Sequence, residues 1–241
     1  MNHPTGQTPN TVHIVACGYT KRDYIDAVGQ YFPEVPVIGT PGVEVWTLNK
    51  ACRAIRADLG FVLDDLVAES RINEHYAKEI IDLSKTMPII TCEKTADFRE
   101  KFGHYTPGIH EYPIREISEK LARWHLMGVE SRKAGKPMEI TPESVVPVQR
   151  RREMAYFRNS LPLIMAYAWA MESIHTLYLW GADYTHPVSG ASREADQPNA
   201  EYWAGFLRAS GIRIIVSQDT TLLKTREPWK VYGYARIPDL T

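Results

Sequence analysis

The chain has 241 residues, 44% of them hydrophobic, which suits one substantial core, and single α/β domains of about 200–250 residues are common. With 28 basic and 29 acidic residues the net charge is -1, so no overall field attracts nucleic acid or an anionic membrane. Three widely spaced cysteines, Cys17, Cys52 and Cys92, argue against a disulfide framework or a zinc site and predict a cytoplasmic protein. No segment approaches the about 18 apolar residues of a membrane span, so we expect no membrane partner.

The first ten residues are polar and contain Pro, Gly and Asn, which predicts a flexible tail before a single domain over residues 11–241. Buried strands then alternate with helices along the chain. The predicted strands cover residues 12–17, 35–38, 43–48, 59–63 and 87–91, and the predicted helices cover residues 23–28, 49–55 and 73–85. This alternation favours a mainly parallel, Rossmann-like α/β sheet with helices on both faces.

The middle of the chain is less regular. Residues 94–148 lack a clear period, and they predict a helical or irregular insertion or a lid over the site, with a basic helix over residues 116–135. Order returns with a helix that begins at residue 149 or 159. The remaining predicted elements are strands over residues 176–180 and 212–216, a helix over residues 199–210 and a hairpin-like segment over residues 229–237.

Polar residues directly after each predicted strand are candidate site residues, because ligands of open parallel sheets bind at the carboxyl ends of the strands. Gly18, Tyr19 and Thr20 follow the first strand. A glycine there lets backbone amides approach a phosphate at a helix amino end, and Lys21 adds positive charge. A tight turn without a ligand would have the same sequence.

Two further strands end in polar side chains. Asn49 follows the strand over residues 43–48, where its amide suits a base or a ribose, or else caps the next helix. Asp64 and Asp65 follow the strand over residues 59–63. Adjacent carboxylates suit a ribose or a divalent cation, and a helix cap with a surface charge is the alternative.

The strongest candidates lie further along the chain. Asn159 and Ser160 open an apolar helix and place hydrogen-bond donors at its amino end, where an anion can be received. Asp183 follows the strand over residues 176–180 after Gly181 and Ala182. The alternatives are a helix cap by Ser160 and an ordinary loop aspartate.

Five segments carry a resemblance to a known family: VACGYTKRDYI, VWTLNKA, GFVLDDL, NSLPLIMAYAWA and LYLWGADY. In this order, over about residues 11–185, they resemble the Rossmann-like group of archaeal 6-hydroxymethylpterin diphosphokinases and bacterial CMP-sialic-acid sialyltransferases. The segments are most similar to group members carried by bacteriophages. The resemblance implies a nucleotide-binding fold and a glycosyltransferase-like enzyme with a nucleotide-sugar donor.

The resemblance also implies roles for residues at matching positions. The group's Gly-x-Gly-Pro-Ser turn matches residues 16–20, so Gly18 and Thr20 would hold nucleotide phosphate, although Ala16 and Tyr19 depart from the pattern. The residues implied for the rest of the donor site are Asn49, Asp64, Asn159, Ser160 and Asp183.

Transfer to a hydroxyl acceptor needs a general base near neutral pH. The sialyltransferases of the group use a histidine, and the nearest candidate in this chain is His186, with an ordinary pKa of about 6.5. Asp183 and Glu194 are the acidic candidates. A solvated loop and a helix amino end are the alternative interpretations of these residues.

A bacteriophage setting would imply a modified base of phage DNA as one possible acceptor, in the cytoplasm of the host. Arg150, Arg151 and Arg152 form a local basic run suited to contact with DNA, although solvated helix faces have the same composition. Two other classes stay open. An ATP- and Mg²⁺-dependent diphosphokinase-like enzyme would use Asp64, Asp65 or Asp183 as metal ligands, and a non-catalytic nucleotide-binding or phage assembly protein would keep the fold alone.

Overall fold

The computed structural model describes residues 2–29, 39–64, 66–92, 95–102, 108–132, 157, 159–184, 196–217 and 219–223. Seven strands lie within these residues: β1 (Thr11–Val15), β2 (Val43–Leu48), β3 (Leu59–Val62), β4 (Ile89–Thr91), β5 (Ile109–Glu111), β6 (Thr176–Trp180) and β7 (Arg213–Val216). They form one sheet in the order β5-β4-β3-β2-β1-β6-β7, and every pair is parallel.

Helices connect these strands. The described helices are α1 (Lys21–Gly29), α2 (Leu66–Ile72), α3 (Glu74–Ser84), α4 (Thr95–Phe102), α5 (Ile114–Arg132), α6 (Ser160–Ala170) and α7 (Gln197–Ala209), with a short 3₁₀ helix, Asn49–Arg53, after β2. None of them is long and apolar enough to cross a lipid bilayer.

The winding of the chain reverses at β1, which has β2 on one side and β6 on the other. On one face of the sheet Tyr24 of α1 packs against Val15 and Trp180, and on the other face Tyr167 of α6 packs against Trp46. Helices therefore cover both faces, and the predicted Rossmann-like α/β fold is confirmed. The carboxyl ends of β1 and β6 form the switch point, where sheets of this kind bind ligands.

In the region over residues 94–148, α5 overlaps the basic helix predicted over residues 116–135, but the region also contributes a strand that was not expected. Its described part forms α4, β5 and α5, and β5 joins the sheet with Ile109 opposite Ile89 of β4. The strand has only three residues and includes His110 and Glu111. A short edge strand with polar residues has no hydrophobic run, so periodicity misses it. Residues 133–148 lie outside the described residues.

The amino-terminal segment, whose composition predicts a flexible tail, makes buried contacts with the sheet and with α6. The His3 ring donates to or accepts from two partners, Glu44 and Tyr167, and its side chain is only 6% exposed. The carbonyl oxygen of Asn10 accepts the backbone N–H groups of His175 and Thr176 at 2.8 and 3.2 Å. The physical reason is the buried carboxylate of Glu44, which needs hydrogen-bond donors.

Most other predicted boundaries agree with the structure within one or two residues, and the strand over residues 176–180 agrees at both ends. The predicted helix over residues 49–55 is the shorter 3₁₀ helix. The predicted strand over residues 35–38 and the hairpin-like segment over residues 229–237 lie outside the described residues.

Candidate functional site

The loops that follow β1 and β6 touch at the switch point. The Gly18 backbone N–H donates to the carbonyl oxygen of Gly181 at 2.8 Å. A Cβ atom at Gly18 would lie 2.6 Å from Oδ2 of Asp183 and even closer to the Gly181 oxygen. Gly181 itself has a φ of 65°, which is in the region that favours glycine. The close approach of the two loops therefore requires glycine at position 18.

Asp183 fastens this contact to the amino end of α1. Oδ2 of Asp183 accepts the Thr20 backbone N–H at 2.6 Å, and Oδ1 accepts the Thr20 hydroxyl at 2.9 Å. The same hydroxyl accepts the N–H of Gly181 at 3.2 Å. We call these four residues, Gly18, Thr20, Gly181 and Asp183, the switch-point junction.

The junction uses the donors that the sequence assigned to a phosphate. The N–H groups of Gly18 and Thr20 point at internal oxygens, and the Asp183 carboxylate occupies the position of an anion at the amino end of α1. Lys21 Nζ donates to the carbonyl oxygens of Cys17 and Gly18 at 3.2 and 3.4 Å. A phosphate at this turn would have to displace Asp183.

The surroundings of the junction are acidic. Burial raises the pKa of Asp23 in α1, and the nearby carboxylates of Asp219 and Asp183 raise it further. Tyr19, which is 37% exposed, lies at the surface of the same turn under the guanidinium of Arg22. Clustered carboxylates disfavour a bound phosphate, so this side of the switch point suits a hydroxyl or a cation better.

A second cluster lies at the carboxyl ends of β2 and β3. Oδ1 of Asn49 accepts the backbone N–H of Leu63 at 3.3 Å, and its Nδ2 donates to the Ser160 hydroxyl at 3.5 Å. Asn49 has a φ of 49°, a left-handed conformation that asparagine tolerates better than most residues. The cap residue of the 3₁₀ helix is Leu48. Asn49 thus joins two strands to α6 and does not cap the next helix.

Asn159 occupies the cap position of α6 without capping it. Its Nδ2 donates to the carbonyl oxygen of Asp196 at 3.1 Å, and its Oδ1 is buried with no hydrogen-bond partner among the described residues. Asp196 is the cap residue of α7 and also makes no side-chain cap bond. The amino ends of two neighbouring helices therefore meet here, and neither is capped by its own cap residue.

The structure brings together most of the described candidates in these two clusters. Gly18, Thr20, Lys21 and Asp183 lie at the junction, and Asn49 and Ser160 lie in contact beside Asn159. Asp64 lies two residues after the end of β3, and its carboxylate helps to raise the pKa of the Tyr76 hydroxyl, after the larger effects of burial and Cys52. The candidates that lie outside the described residues are Asp65, Arg150, Arg151, Arg152, His186 and Glu194.

Sequence reasoning assigned no role to Cys17, and it considered Asp196 only within a polar group that could hold the acceptor or serve as the base, not as a partner of Asn159. Asp196 precedes a helix with proline in its first turn, and this combination is a recognisable helix start. The exposed thiol of Cys17 lies beside Gly18 and donates to the carbonyl oxygen of Leu48 at 3.3 Å. The position of Cys17 at the carboxyl end of the first strand was the available signal.

The described residues contain no group of three or more His, Cys, Asp or Glu side chains placed to hold a metal ion. Two cavities, of about 900 and 690 Å³, lie at the opposite edge of the sheet. The larger is lined by Asp58 and Met87, which precede β3 and β4, and the smaller by Lys120 and Ser173. The convergent polar groups lie at the carboxyl edge, so we place the candidate site there.

No protein-family model matches the chain, and no curated protein sequence matches it significantly. Among solved structures, the chain is similar to the sialyltransferase CstII from Campylobacter jejuni in complex with the substrate analogue CMP-3FNeuAc. The two chains are 12% identical, the match covers 86% of this chain and 79% of that chain, and the TM-score is 0.42. The assignment of the fold rests on this chain's own sheet order.

Proposed function

We propose that the protein is a transferase that binds a nucleotide sugar at the carboxyl edge of its sheet and passes a group to a hydroxyl acceptor. The observation that carries the proposal is the amino end of α6. Asn159 leaves this helix uncapped and keeps Oδ1 buried without a partner among the described residues. A nucleotide offers both an anion for the helix end and a donor for this oxygen.

Electrostatics favour α6 over α1 as the phosphate site. Each helix amino end carries the equivalent of about half a positive charge. At α1 that charge already faces Asp183, whereas α6 and α7 begin side by side and lack side-chain caps. Gly18 and Thr20 then shape the neighbouring loop instead of holding phosphate directly, which differs from the role that the resemblance implied.

Asn49 and Asp64 suit the nucleoside. The side chain of Asn49 is held by Leu63 and Ser160, so its remaining hydrogen-bonding capacity has a fixed direction. Asp64 follows β3 at the same edge, where a carboxylate can accept ribose hydroxyls. The choice of a sugar as the transferred group rests on the sequence resemblance of residues 11–185.

Asp183 acts as a positioning residue in this proposal, because both of its oxygens accept hydrogen bonds from Thr20. The general base is then His186 or Glu194, of which the imidazole has the more suitable ordinary pKa, about 6.5. A modified base of DNA as the acceptor, with Arg150, Arg151 and Arg152 as its contacts, remains a hypothesis from the sequence.

The test is a binding and turnover screen of the full chain. Nucleoside mono-, di- and triphosphates and nucleotide sugars are titrated by calorimetry with and without Mg²⁺, and bound nucleotide sugars are then incubated with candidate hydroxyl acceptors, modified DNA among them. Asn159→Ala and Ser160→Ala should each weaken nucleotide binding by about tenfold, the value of one lost hydrogen bond of about 1.4 kcal/mol.

Asn73→Ala is the matched control. Oδ1 of Asn73 accepts the backbone N–H of Tyr76 at 3.2 Å and caps α3, so the substitution costs about 1 kcal/mol of stability. It should leave nucleotide affinity unchanged.

Each outcome of the screen assigns a class. Binding and turnover of a nucleotide sugar support the proposal, and Mg²⁺-dependent use of ATP would assign a diphosphokinase-like enzyme instead. Binding without turnover by any acceptor would assign a non-catalytic nucleotide-binding protein. Binding that Asn159→Ala leaves unchanged, or no binding at all, would contradict the site.

A further inference from the structure

A fully buried carboxylate lies near the amino end of β2, the central strand of the sheet. Glu44 of β2 is 0% exposed, and it accepts hydrogen bonds from Trp46 Nε1 at 2.7 Å, His3 Nε2 at 2.8 Å and the Thr5 hydroxyl at 2.6 Å. A buried carboxylate is costly unless hydrogen bonds compensate it. Two of its three donors come from the amino-terminal segment.

The carboxylate is ionised at neutral pH. Burial by itself would raise the pKa of Glu44, but the hydrogen bonds from His3, Thr5 and Trp46 outweigh burial and lower the pKa below its ordinary value of 4.5. An ionised carboxylate only accepts hydrogen bonds, so Nε2 of His3 carries the proton that the two groups share.

The second ring nitrogen of His3 reaches a different element. Nδ1 lies 3.0 Å from the hydroxyl of Tyr167, which belongs to α6. Burial, and then the charge of Glu44, raise the pKa of Tyr167, so this hydroxyl keeps its proton. One imidazole therefore bridges β2 and α6 through its two nitrogens.

The same two elements carry the candidate site at their other ends. Asn49 comes directly after β2, Ser160 is the first residue of α6, and their side chains meet at 3.5 Å. Along β2, Trp46 lies between Glu44 and Asn49 and packs edge-on against the same Tyr167, with ring centroids 5.5 Å apart. The cited contacts thus join β2 to α6 at two positions of the helix, at Ser160 through Asn49 and at Tyr167 through Trp46 and the His3 bridge to Glu44.

We propose that His3 is a positioning residue for the nucleotide site. By bridging Glu44 and Tyr167 it sets the separation of β2 and α6, and this separation sets the contact between Asn49 and Ser160 about 16 Å further along the strand. Contiguous packed elements of this kind carry coupling between distant positions. The effect on ligand affinity rests on the proposed function, whereas the effect on the site's geometry does not.

The test compares two residues that share one partner. His3 and Thr5 both donate hydrogen bonds to Glu44. Of these two hydrogen-bond donors, only His3 has a described hydrogen bond to α6 as well. Thr5→Val should therefore lower the unfolding midpoint without affecting the site. His3→Ala should lower the midpoint and also loosen the site, and a millimolar concentration of free imidazole should reverse the second effect by filling the vacated space.

The first readout needs no ligand. The backbone N–H of Leu63 donates to Asn49 Oδ1, so its hydrogen exchange, followed by NMR, reports the state of Asn49. The two variants are compared under conditions equally far from their own unfolding midpoints. Hydrogen exchange at the Leu63 amide should then be faster in His3→Ala than in Thr5→Val. Equal exchange in the two variants would overturn the proposal, whether or not any nucleotide binds.

The second readout uses cytidine monophosphate as the probe. If the wild-type chain binds it, His3→Ala should weaken the affinity by about fivefold and Thr5→Val should leave it unchanged. His3→Gln keeps a donor at the Nε2 position but loses the partner of Tyr167, so it should behave like His3→Ala at Leu63. Faster exchange without nucleotide binding would support the positioning role and contradict the proposed function alone.

Discussion

The carboxylate of Asp183 accepts both hydrogen bonds that Thr20 can donate, one from its backbone N–H at 2.6 Å and one from its hydroxyl at 2.9 Å. The two residues follow different strands, β6 and β1, so this one pair closes the switch point of the sheet. Because the carboxylate faces the amino end of α1, it takes the place that a phosphate has in many nucleotide-binding turns. The phosphate site is accordingly proposed at α6.

Replacement of Thr20 by valine should destabilise the junction. The change removes a hydroxyl that donates to Asp183 and accepts from Gly181, in a side chain that is 2% exposed. The cost should be about 1–3 kcal/mol, because the Gly181 N–H loses its partner. Urea unfolding at neutral pH measures it. Thr20→Ser, which keeps the hydroxyl, is the control, and equal midpoints for the two variants would show that the hydroxyl contributes nothing.

Gly18→Ala should be more damaging. Its Cβ would lie 2.6 Å from Asp183 Oδ2, and forcing the two loops apart should cost about 1–3 kcal/mol or more. Gly205→Ala in α7 is the matched control, since no atom lies within 4 Å of the added Cβ. That change should gain about 0.5–1 kcal/mol. A Gly18→Ala protein as stable as the wild type would refute the close approach of the loops.

The sequence predicted the fold further than it predicted the site. The strand over residues 176–180 was found at its exact bounds because four of its five residues are buried on alternating faces, whereas β5 was missed because it is short and polar. At the site, the parallel sheet placed Thr20, Asn49 and Asp183 at one edge. Their partners were not predictable, because Thr20 and Asp183 are 163 positions apart and Asn49 and Ser160 are 111 apart.

The role of Asp183 shows the physical limit of motif reasoning. A glycine turn before a helix offers donors to any anion, and the sequence does not say whether that anion is a ligand or a side chain from another loop. Asn159 stands at the start of a helix, where an asparagine side chain usually caps the helix. Its amide group instead donates to the carbonyl oxygen of Asp196, so this side chain contacts another loop where a local cap was expected. Both findings depend on contacts between loops that are distant in sequence.

Asn49 offers a test of backbone conformation at the site. Asn49→Ala and Asn49→Gly both remove the side-chain hydrogen bonds to Leu63 and Ser160. Only the alanine variant has a Cβ atom, which makes the left-handed backbone conformation, with a φ of 49°, energetically unfavourable. Asn49→Gly should therefore be more stable than Asn49→Ala by about 1 kcal/mol. Thermal unfolding of the two variants measures the difference. An alanine variant as stable as the glycine variant would contradict the left-handed conformation.

The pH dependence of stability should report Glu44. Its pKa is lowered in the folded protein, so its ionised form is favoured on folding. The stabilisation is fully present above the ordinary value of 4.5 and is lost as the pH falls through the lower folded pKa. The pKa values of Asp23 and Asp58 are raised and contribute with the opposite sign.

A comparison with Glu44→Gln isolates the Glu44 contribution, because the glutamine does not titrate and the other carboxylates are common to both proteins. The difference between the unfolding free energies of the wild type and this variant should stay constant at neutral pH and shrink below 4.5. A difference that is independent of pH down to about pH 3 would mean that folding leaves the pKa of Glu44 unchanged, and a difference that grows as the pH falls would mean that folding raises it.

Thiol reactivity should separate Cys17 from Cys52 and locate the ligand. Cys17 is exposed beside the switch point, whereas Cys52 is buried and burial raises its pKa to about 11. Because the thiolate is the nucleophile, the aromatic disulfide dithiobis(nitrobenzoate) at about pH 8 should label Cys17 rapidly, with release of thionitrobenzoate, and Cys52 only after unfolding. The measurement is made in a Cys92→Ser background, with Cys17→Ser as its control.

A nucleotide bound at the carboxyl edge should slow the labelling of Cys17. The labelling of Cys52 requires unfolding, so its rate should depend only on the global stability of the protein. Unchanged Cys17 labelling at saturating nucleotide would place the ligand away from this edge.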